Sequence, residues 1–334
     1  MNDRDTYTRS LFPWFGGKRW VADIVWARFG KVKQYTEPFC GTAAMMFMNP
    51  TQPYLEVIGD MNFYVANFWR AVRAQPDAVA KEADYPVSHV DLTARHRWLC
   101  EPARTAALRE ALSDPEWPGD AKIAGWWVWG QSAWIGSGWC EREGAREQIP
   151  HITDAGQGIE AKIPHITNAG RGIEAKIPHI ADAGQGEYIP PSEERLSAIL
   201  RAFANRMRSV RVLHGSWDRC LNTHYGEFGG GIAAMFFDPP YLGFESLYSD
   251  GSSKPVGAQV AEWCKANKRP SLRIALCGHD GDYDLPGWEV VPWKRKRHVM
   301  GQRLSDEGQT IDRERIWFSP SCIKPESRQR TLCL

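Results

Sequence analysis

The feature that most constrains the fold is a strand that leads through a loop of small residues into a helix. Gln34–Glu37 has strand character and continues into Pro38-Phe-Cys-Gly-Thr-Ala-Ala44, and a methionine-rich helical run then extends to about Met48. A second strand over 54–58 is followed in the same way by a helix over 63–74. This alternation is typical of a doubly wound α/β sheet, in which ligands bind beyond the carboxyl ends of the strands.

The same alternation returns in the second half of the chain. It predicts helices over about 192–207 and 257–267, and strands over 210–213, 231–237, 272–277 and 315–318. Between about 86 and 191 the pattern changes to helical pieces, a tryptophan-rich stretch and a repeat. We therefore expect one domain built from 1–85 and 192–334, with an inserted lobe at 86–191.

The far part of this lobe, residues 149–186, is a threefold repeat of period 14. Each unit holds one proline and two glycines, which exclude a helix and predict an extended loop array. His151, His165 and His179 recur in the units, but each follows a proline and has no carboxylate or cysteine at ligand spacing. No metal site is predicted here.

Composition indicates an ordinary globular chain with a core to bury. Its 334 residues include 43% hydrophobic and 24% charged residues, which excludes disorder and collagen-like repetition. The 41 basic residues nearly balance the 40 acidic ones, so binding of nucleic acid would need a local basic patch. The 16 tryptophans provide flat surface either for a core or for stacking on bases.

The eight cysteines contain no Cys-x-x-Cys pair, so we expect neither a zinc site nor a redox motif, and reduced thiols in a cytoplasm fit best. The first residues lack the apolar run of a signal peptide, and no apolar run of about 18 residues indicates a membrane span.

The most informative tetrapeptide is Asp238-Pro239-Pro240-Tyr241, which ends an apolar strand. The carboxylate of Asp238 and the carbonyl of Pro239 can accept the two hydrogens of a planar amino group. Tyr241 can stack on a base flipped out of its duplex. A proline turn capped by the aspartate is the alternative interpretation.

Asp-Pro-Pro-Tyr and the segments before it resemble the Dam-type, adenine-specific DNA methyltransferases, which use S-adenosylmethionine (SAM). The resemblance covers about 11–75 and 205–322. Phe12-Pro-Trp-Phe-Gly-Gly-Lys18 is similar to the N-terminal motif of the family, which implies that Trp14 and Lys18 contact SAM. Glu37-Pro-Phe39-Cys-Gly41-Thr-Ala43 resembles its Asp-Pro-Phe-x-Gly-x-Gly cofactor loop, with Glu37 replacing the acid that holds the ammonium of SAM and Ala43 replacing the last glycine.

Two further segments match the family in order. Asp60 follows the second strand, where the resemblance implies binding of the ribose hydroxyls of SAM, and a helix cap is the compatible alternative. Ser216-Trp217-Asp218 is similar to the motif that covers the SAM adenine, with either Ser216 or Asp218 as its polar partner. A plain core role for Trp217 is the other interpretation.

The resemblance implies a Rossmann-like SAM-dependent methyltransferase fold, DNA as substrate, SAM as methyl donor, no metal, and a target-recognition role for the lobe at 86–191. In the repeat, backbone N–H groups and Arg171 could contact phosphates, and a solvated, duplicated loop is the alternative. The densest basic cluster is Lys294-Arg295-Lys296-Arg297, which is either a phosphate contact or a solvated turn.

The predicted function is methylation of the exocyclic amino group of a flipped adenine, with relaxed specificity favoured by the glycine-rich lobe. The phage-like closing segments imply a phage or orphan enzyme that protects DNA from restriction. The alternatives are a cytosine amino-group methyltransferase, an RNA methyltransferase and an inactive nucleic-acid-binding homologue. A monomer without an obligatory protein partner is the expectation.

Overall fold

The computed structural model describes residues 7, 10–14, 17–134, 139–140, 193–221, 231–240, 255–293 and 313–325. Several predicted features lie outside the described residues: the repeat at 149–186 with its three histidines, Arg171, Tyr241, and Lys294, Arg295, Lys296 and Arg297.

Seven strands form one mixed sheet in the order β3-β2-β1-β4-β5-β7-β6. The strands are β1 Gln34–Glu37, β2 Leu55–Asp60, β3 Val210–His214, β4 Ala233–Phe237, β5 Leu272–His279, β6 Glu289–Pro292 and β7 Glu314–Phe318. Strands β1 to β5 pair in parallel, and β7 runs antiparallel between β5 and β6. The predicted doubly wound, Rossmann-like sheet is confirmed. Strand β6 was not predicted from the sequence.

Nine α-helices are present among the described residues. They are α1 Ala22–Phe29, α2 Ala44–Phe47, α3 Phe63–Ala74, α4 Pro76–Ala83, α5 His89–Leu99, α6 Pro102–Ala111, α7 Ala121–Ala133, α8 Glu193–Arg206 and α9 Val256–Ala266. None of the helices in this part of the chain is long and apolar enough to cross a membrane.

The sheet is buried on both faces. Successive residues of β4 alternate between two apolar clusters, with Ala234 and Phe236 in the larger one and Met235 and Phe237 in the smaller. The larger cluster includes α3, α7 and α8, and the smaller one includes α9. Because both faces are covered, the central strand β4 is apolar throughout, as expected for a strand inside a parallel sheet.

The described part of the predicted inserted lobe packs on the same core as the sheet. Trp127 and Trp129 of α7 are fully buried, and Phe12 lies edge-on to Trp127 with ring centroids 5.0 Å apart. Gly125 of α7 lies so close to Glu82 and Ala83 that a side chain at this position would overlap the backbone of α4. Residues up to 134 therefore extend the helical layer, and a DNA-binding role for 86–191 stays a prediction.

Candidate active site

The candidate site lies where the strand order reverses. Strand β1 pairs with β2 on one side and with β4 on the other, and ligands of open α/β sheets bind at such a switch point. A shallow cleft opens there beyond four adjacent strand ends. Its lining residues follow β1, β2, β3 and β4 and begin α9: Pro38, Phe39, Met61, Gly215, Trp217, Pro240 and Val256. This lining is mostly apolar, as is usual for small-molecule sites.

Lys18 and Asp238 form a close ion pair at this edge. The Nζ atom of Lys18 lies 2.8 Å from Oδ1 of Asp238, and the two side chains are 4% and 16% exposed. Burial is the largest single effect and lowers the pKa of Lys18. The charge and hydrogen bond of Asp238, together with the nearby Cys277 and Glu314, outweigh burial, so the pKa is raised above its ordinary value. Lys18 is therefore charged at neutral pH, and its Nζ also lies 5.7 Å from the ring centroid of Trp293.

Glu37 ends β1 as a buried acid. Its Oε2 atom accepts hydrogen bonds from the hydroxyl of Tyr35, at 3.0 Å, and from the backbone N–H of Met46, at 3.1 Å. Burial raises the pKa of Glu37 to about 8, and the nearby charge of Asp238 adds to this effect. The carboxyl group is therefore mainly protonated at pH 7, and a cation in the cleft would favour its ionised form.

Asp60, at the end of β2, joins two loops. Its Oδ2 accepts the N–H of Gly41 at 2.9 Å, and its Oδ1 accepts the N–H of Asn62 at 2.8 Å. Burial raises the pKa of Asp60 to about 6, although these two hydrogen bonds oppose the shift. Helix α3 is capped by the side chain of Asn62, which accepts from Tyr64, and not by Asp60. Each carboxylate oxygen has capacity for a further hydrogen bond, such as one from a ribose hydroxyl.

The loop after β1 is shaped by two residues with left-handed backbone. Gly41 has a φ of +44°, and a Cβ atom there would overlap the indole ring of Trp14, which lies directly on it. The carbonyl of Gly41 accepts from Nε1 of Trp69 at 2.8 Å. Ala43, which stands where the family has glycine, also has a positive φ of 51°. An alanine in this conformation costs about 1–2 kcal/mol, so the loop retains the glycine-like shape at some strain.

At the β3 side of the cleft, Trp217 is both buried and part of the lining. Its ring lies edge-on to Phe237, with centroids 6.0 Å apart, so the core and cofactor interpretations are compatible. Asp218 is exposed, whereas Ser216 is half-buried at the start of the short helix that carries Trp217. The structure thus brings Lys18, Glu37, Phe39, Gly41, Asp60, Trp217 and Asp238 to one edge of the sheet, with Trp14, Pro239 and Pro240 adjoining them.

Several residues of this edge were not predicted from the sequence. Tyr35 could have been found, because it lies two residues before Glu37 in a strand and such residues share a face. Trp69 and Trp293 contact the site from distant segments, so no local pattern indicates them. The pairing of Lys18 with Asp238 was also not predicted, although each residue was.

The fold and this edge together define the class of protein. A seven-stranded sheet with one antiparallel strand near its edge, and a cleft at the switch point with acids after β1, β2 and β4, is a Rossmann-like methyltransferase fold.

A family comparison gives a more specific similarity. Residues 14–93 match the model of the D12 class N6 adenine-specific DNA methyltransferases, which confirms the resemblance to the Dam-type enzymes. The match includes Lys18, the loop after β1 and Asp60, but ends before β3 and β4. No curated protein matches the chain.

Proposed function

We propose that this protein is a SAM-dependent DNA methyltransferase that methylates the exocyclic amino nitrogen of a flipped adenine. The observation that carries the proposal is the position of Asp238 beyond β4, at the switch point and next to the buried acid of β1. The finer proposal is an enzyme of the phage or orphan type, acting in the cytoplasm to protect DNA from restriction with relaxed specificity.

The cleft provides groups that fit each part of SAM. The apolar surfaces of Phe39 and Trp217 suit a flat adenine ring. Asp60 can accept from ribose hydroxyls, and Glu37 can pair with an ammonium group. SAM supplies an activated methyl group on a sulfonium.

Asp238 and Pro239 then act on the target amino group. The Asp238 carboxylate and the Pro239 carbonyl accept its two N–H hydrogens, which draws the nitrogen lone pair out of conjugation with the ring. With SAM bound, this nitrogen would take the methyl group, S-adenosylhomocysteine would leave with the electron pair of the broken C–S bond, and the proton lost from the nitrogen would pass to solvent. Positioning and these two acceptors account for catalysis.

The buried lysine determines which variant tests this role. Asp238→Ala would leave the ammonium of Lys18 buried without this partner, and breaking a buried pair costs about 3–5 kcal/mol. Asp238→Asn keeps an oxygen that can accept from Lys18 but removes the charge. We expect it to fold, to bind SAM with a modest loss, and to lose turnover by about 100-fold or more.

The assay is incubation with SAM and unmethylated DNA, digestion to nucleosides and mass spectrometry of the methylated base. Asp77→Asn is the matched control, because Asp77 also pairs with a basic side chain, Arg201, but on the exposed surface of α4. N6-methyladenine from the wild type and the control, with little from Asp238→Asn, supports the proposal. Methylcytosine, methylation of RNA alone, or full activity of Asp238→Asn would refute it.

DNA contact by the basic cluster is a separate part of the proposal. Neutralising Lys294, Arg295, Lys296 and Arg297 should lower the slope of log affinity against log salt by up to about 3.6, at about 0.9 per phosphate contact. The control neutralises Lys265, Lys268 and Arg269, which lie at the end of α9 and in the turn before β5, at the edge of the sheet opposite the cleft. An unchanged slope in the first variant would exclude this contact.

A further inference from the structure

Three side chains with metal-binding atoms converge beside α5, in a part of the molecule that the proposed methyl transfer does not use. His96 lies in α5, Cys100 caps its end four residues later, and Cys140 follows α7. Nδ1 of His96 lies 3.9 Å from Sγ of Cys100 and 3.8 Å from Sγ of Cys140. All three ligand atoms lie within 4.8 Å of one another, and no second group of this kind occurs among the described residues.

These distances fit a shared metal ion. Tetrahedral zinc binds sulfur at about 2.3 Å and imidazole nitrogen at about 2.0–2.1 Å, which places the nitrogen about 3.6 Å from each sulfur and the sulfurs about 3.8 Å apart. The observed separations between nitrogen and sulfur are close to this spacing. Thiolate and imidazole ligands together favour zinc over magnesium or calcium.

The surroundings hold the three ligands in place. His96 is fully buried, and its ring stacks on Trp134 at 5.0 Å and contacts Trp139 at 5.2 Å. Cys140 is 5% exposed and has a φ of 54°, a conformation that is unusual for a residue other than glycine. A bond from its sulfur to a metal would account for a strained backbone at this position.

We propose that His96, Cys100 and Cys140 bind a Zn²⁺ ion that holds the chain at Cys140, after α7, against the end of α5. Water would complete the fourth position on the side of Cys100, which is the partly exposed ligand. The ion would fix the point from which the chain continues towards the repeat at 149–186. No zinc site was predicted from the sequence, because the chain has no Cys-x-x-Cys pair. These three residues combine a His-x-x-x-Cys spacing with a cysteine 40 residues further on, which gives no such local signal.

The proposed Zn²⁺ ion would also support the loop after β1, through contacts between three tryptophans. Nε1 of Trp139, the neighbour of Cys140, donates to the carbonyl of Trp127 at 2.9 Å. Trp127 in turn contacts Trp14 with ring centroids 5.9 Å apart, and Trp14 lies on Gly41. Loss of the ion would therefore loosen a packed series of rings that ends at the loop after β1.

The first test measures metal in the full-length wild-type protein, purified with a phosphine reductant and without added metal. Elemental analysis should find about one zinc per chain, released when a mercurial reagent blocks the thiols. Replacement by Co²⁺ should give a thiolate-to-cobalt charge-transfer band together with the d–d bands of a tetrahedral site. Absence of both zinc and the cobalt spectrum, or a disulfide between the two cysteines under these conditions, would overturn the proposal.

The second test compares variants. Cys100→Ser, Cys140→Ser and His96→Gln should each lose the bound zinc, whereas Cys264→Ala, which alters a buried cysteine in α9, should retain it. Circular dichroism checks that each variant folds. If the ligand variants do not fold, the cobalt spectrum of the wild-type protein decides whether the site binds metal. Zinc retained in all three ligand variants would also overturn the proposal. Because metal content is measured without methylation, failure here is distinct from failure of the proposed function.

Discussion

The buried acid at the end of β1 makes SAM binding depend on pH in a way that can be calculated. The pKa of Glu37 is about 8 without ligand, so only about 9% of the carboxyl group is ionised at pH 7 and about 1% at pH 6. If the ammonium of SAM pairs with the ionised form, the pKa falls on binding and a proton is released. Affinity must then decrease as pH falls below 8.

The range from pH 7 to pH 6 isolates this effect. The amino group of SAM, with a pKa of about 7.7–8.0, stays largely protonated there, so Glu37 alone weakens binding by about ninefold over this unit. Asp60, with a pKa of about 6, adds about a twofold weakening if its ionised form holds the ribose.

Isothermal titration calorimetry measures both the affinity and the proton. Titrations at pH 7 in two buffers of different ionisation enthalpy should show a net release of about 0.8 proton per SAM. Glu37→Gln should bind more weakly at pH 8 and retain only the twofold change between pH 7 and pH 6 that Asp60 contributes. Glu289→Gln, at a partly exposed ion pair with Arg28, should keep the wild-type slope. A wild-type slope in Glu37→Gln would refute the reasoning.

Two other predictions concern the cofactor loop and the core. Gly41→Ala should weaken SAM binding by tenfold or more, because the new methyl group displaces the indole of Trp14 that lies on it. Gly281→Ala is the control, because Gly281 also has a positive φ but has open space around it. Calorimetry measures SAM affinity in both variants, and equal effects would contradict the steric explanation. Arg206→Met should lower the free energy of unfolding in urea by about 3–5 kcal/mol, because it leaves Glu56 buried without its bidentate partner at 2.5 and 2.6 Å. Arg201→Met, at an exposed pair on the same helix, should change little, and a large loss there would refute the burial argument.

Elements with a strong local signal were predicted well. The bounds of α3 match the predicted helix over 63–74, because Asn62 caps its start and apolar residues recur at helical spacing. Strand β1 also has its predicted bounds, and β4 is apolar throughout because both faces of the sheet are covered. Glu37 was singled out by the family resemblance, Asp60 by its place at the end of the second strand, and Asp238 by the chemistry of its tetrapeptide. The structure places all three at one edge of the sheet.

Elements that depend on distant partners were not predicted. Helix α5 has no clear apolar stripe, because its buried face includes Arg95, whose guanidinium lies 4.0 Å from the ring centroid of Tyr85 and 4.3 Å from that of Trp129. Strand β6 has four residues and alternates between half-buried and exposed positions at the sheet edge. The cluster of His96, Cys100 and Cys140, proposed above as a metal site, joins α5 to a cysteine 40 positions further along the chain, which no local spacing can indicate.

The pair between Lys18 and Asp238 has a consequence for how the proposed reaction discriminates between ground state and transition state. Before a base enters, one oxygen of the Asp238 carboxylate already pairs with an ammonium nitrogen, so the negative charge is partly neutralised when the amino group arrives. A partly neutralised acceptor adds little net binding energy for the resting base. The interaction strengthens only as positive charge develops on the attacking nitrogen. The site therefore stabilises the transition state more than it stabilises the bound base.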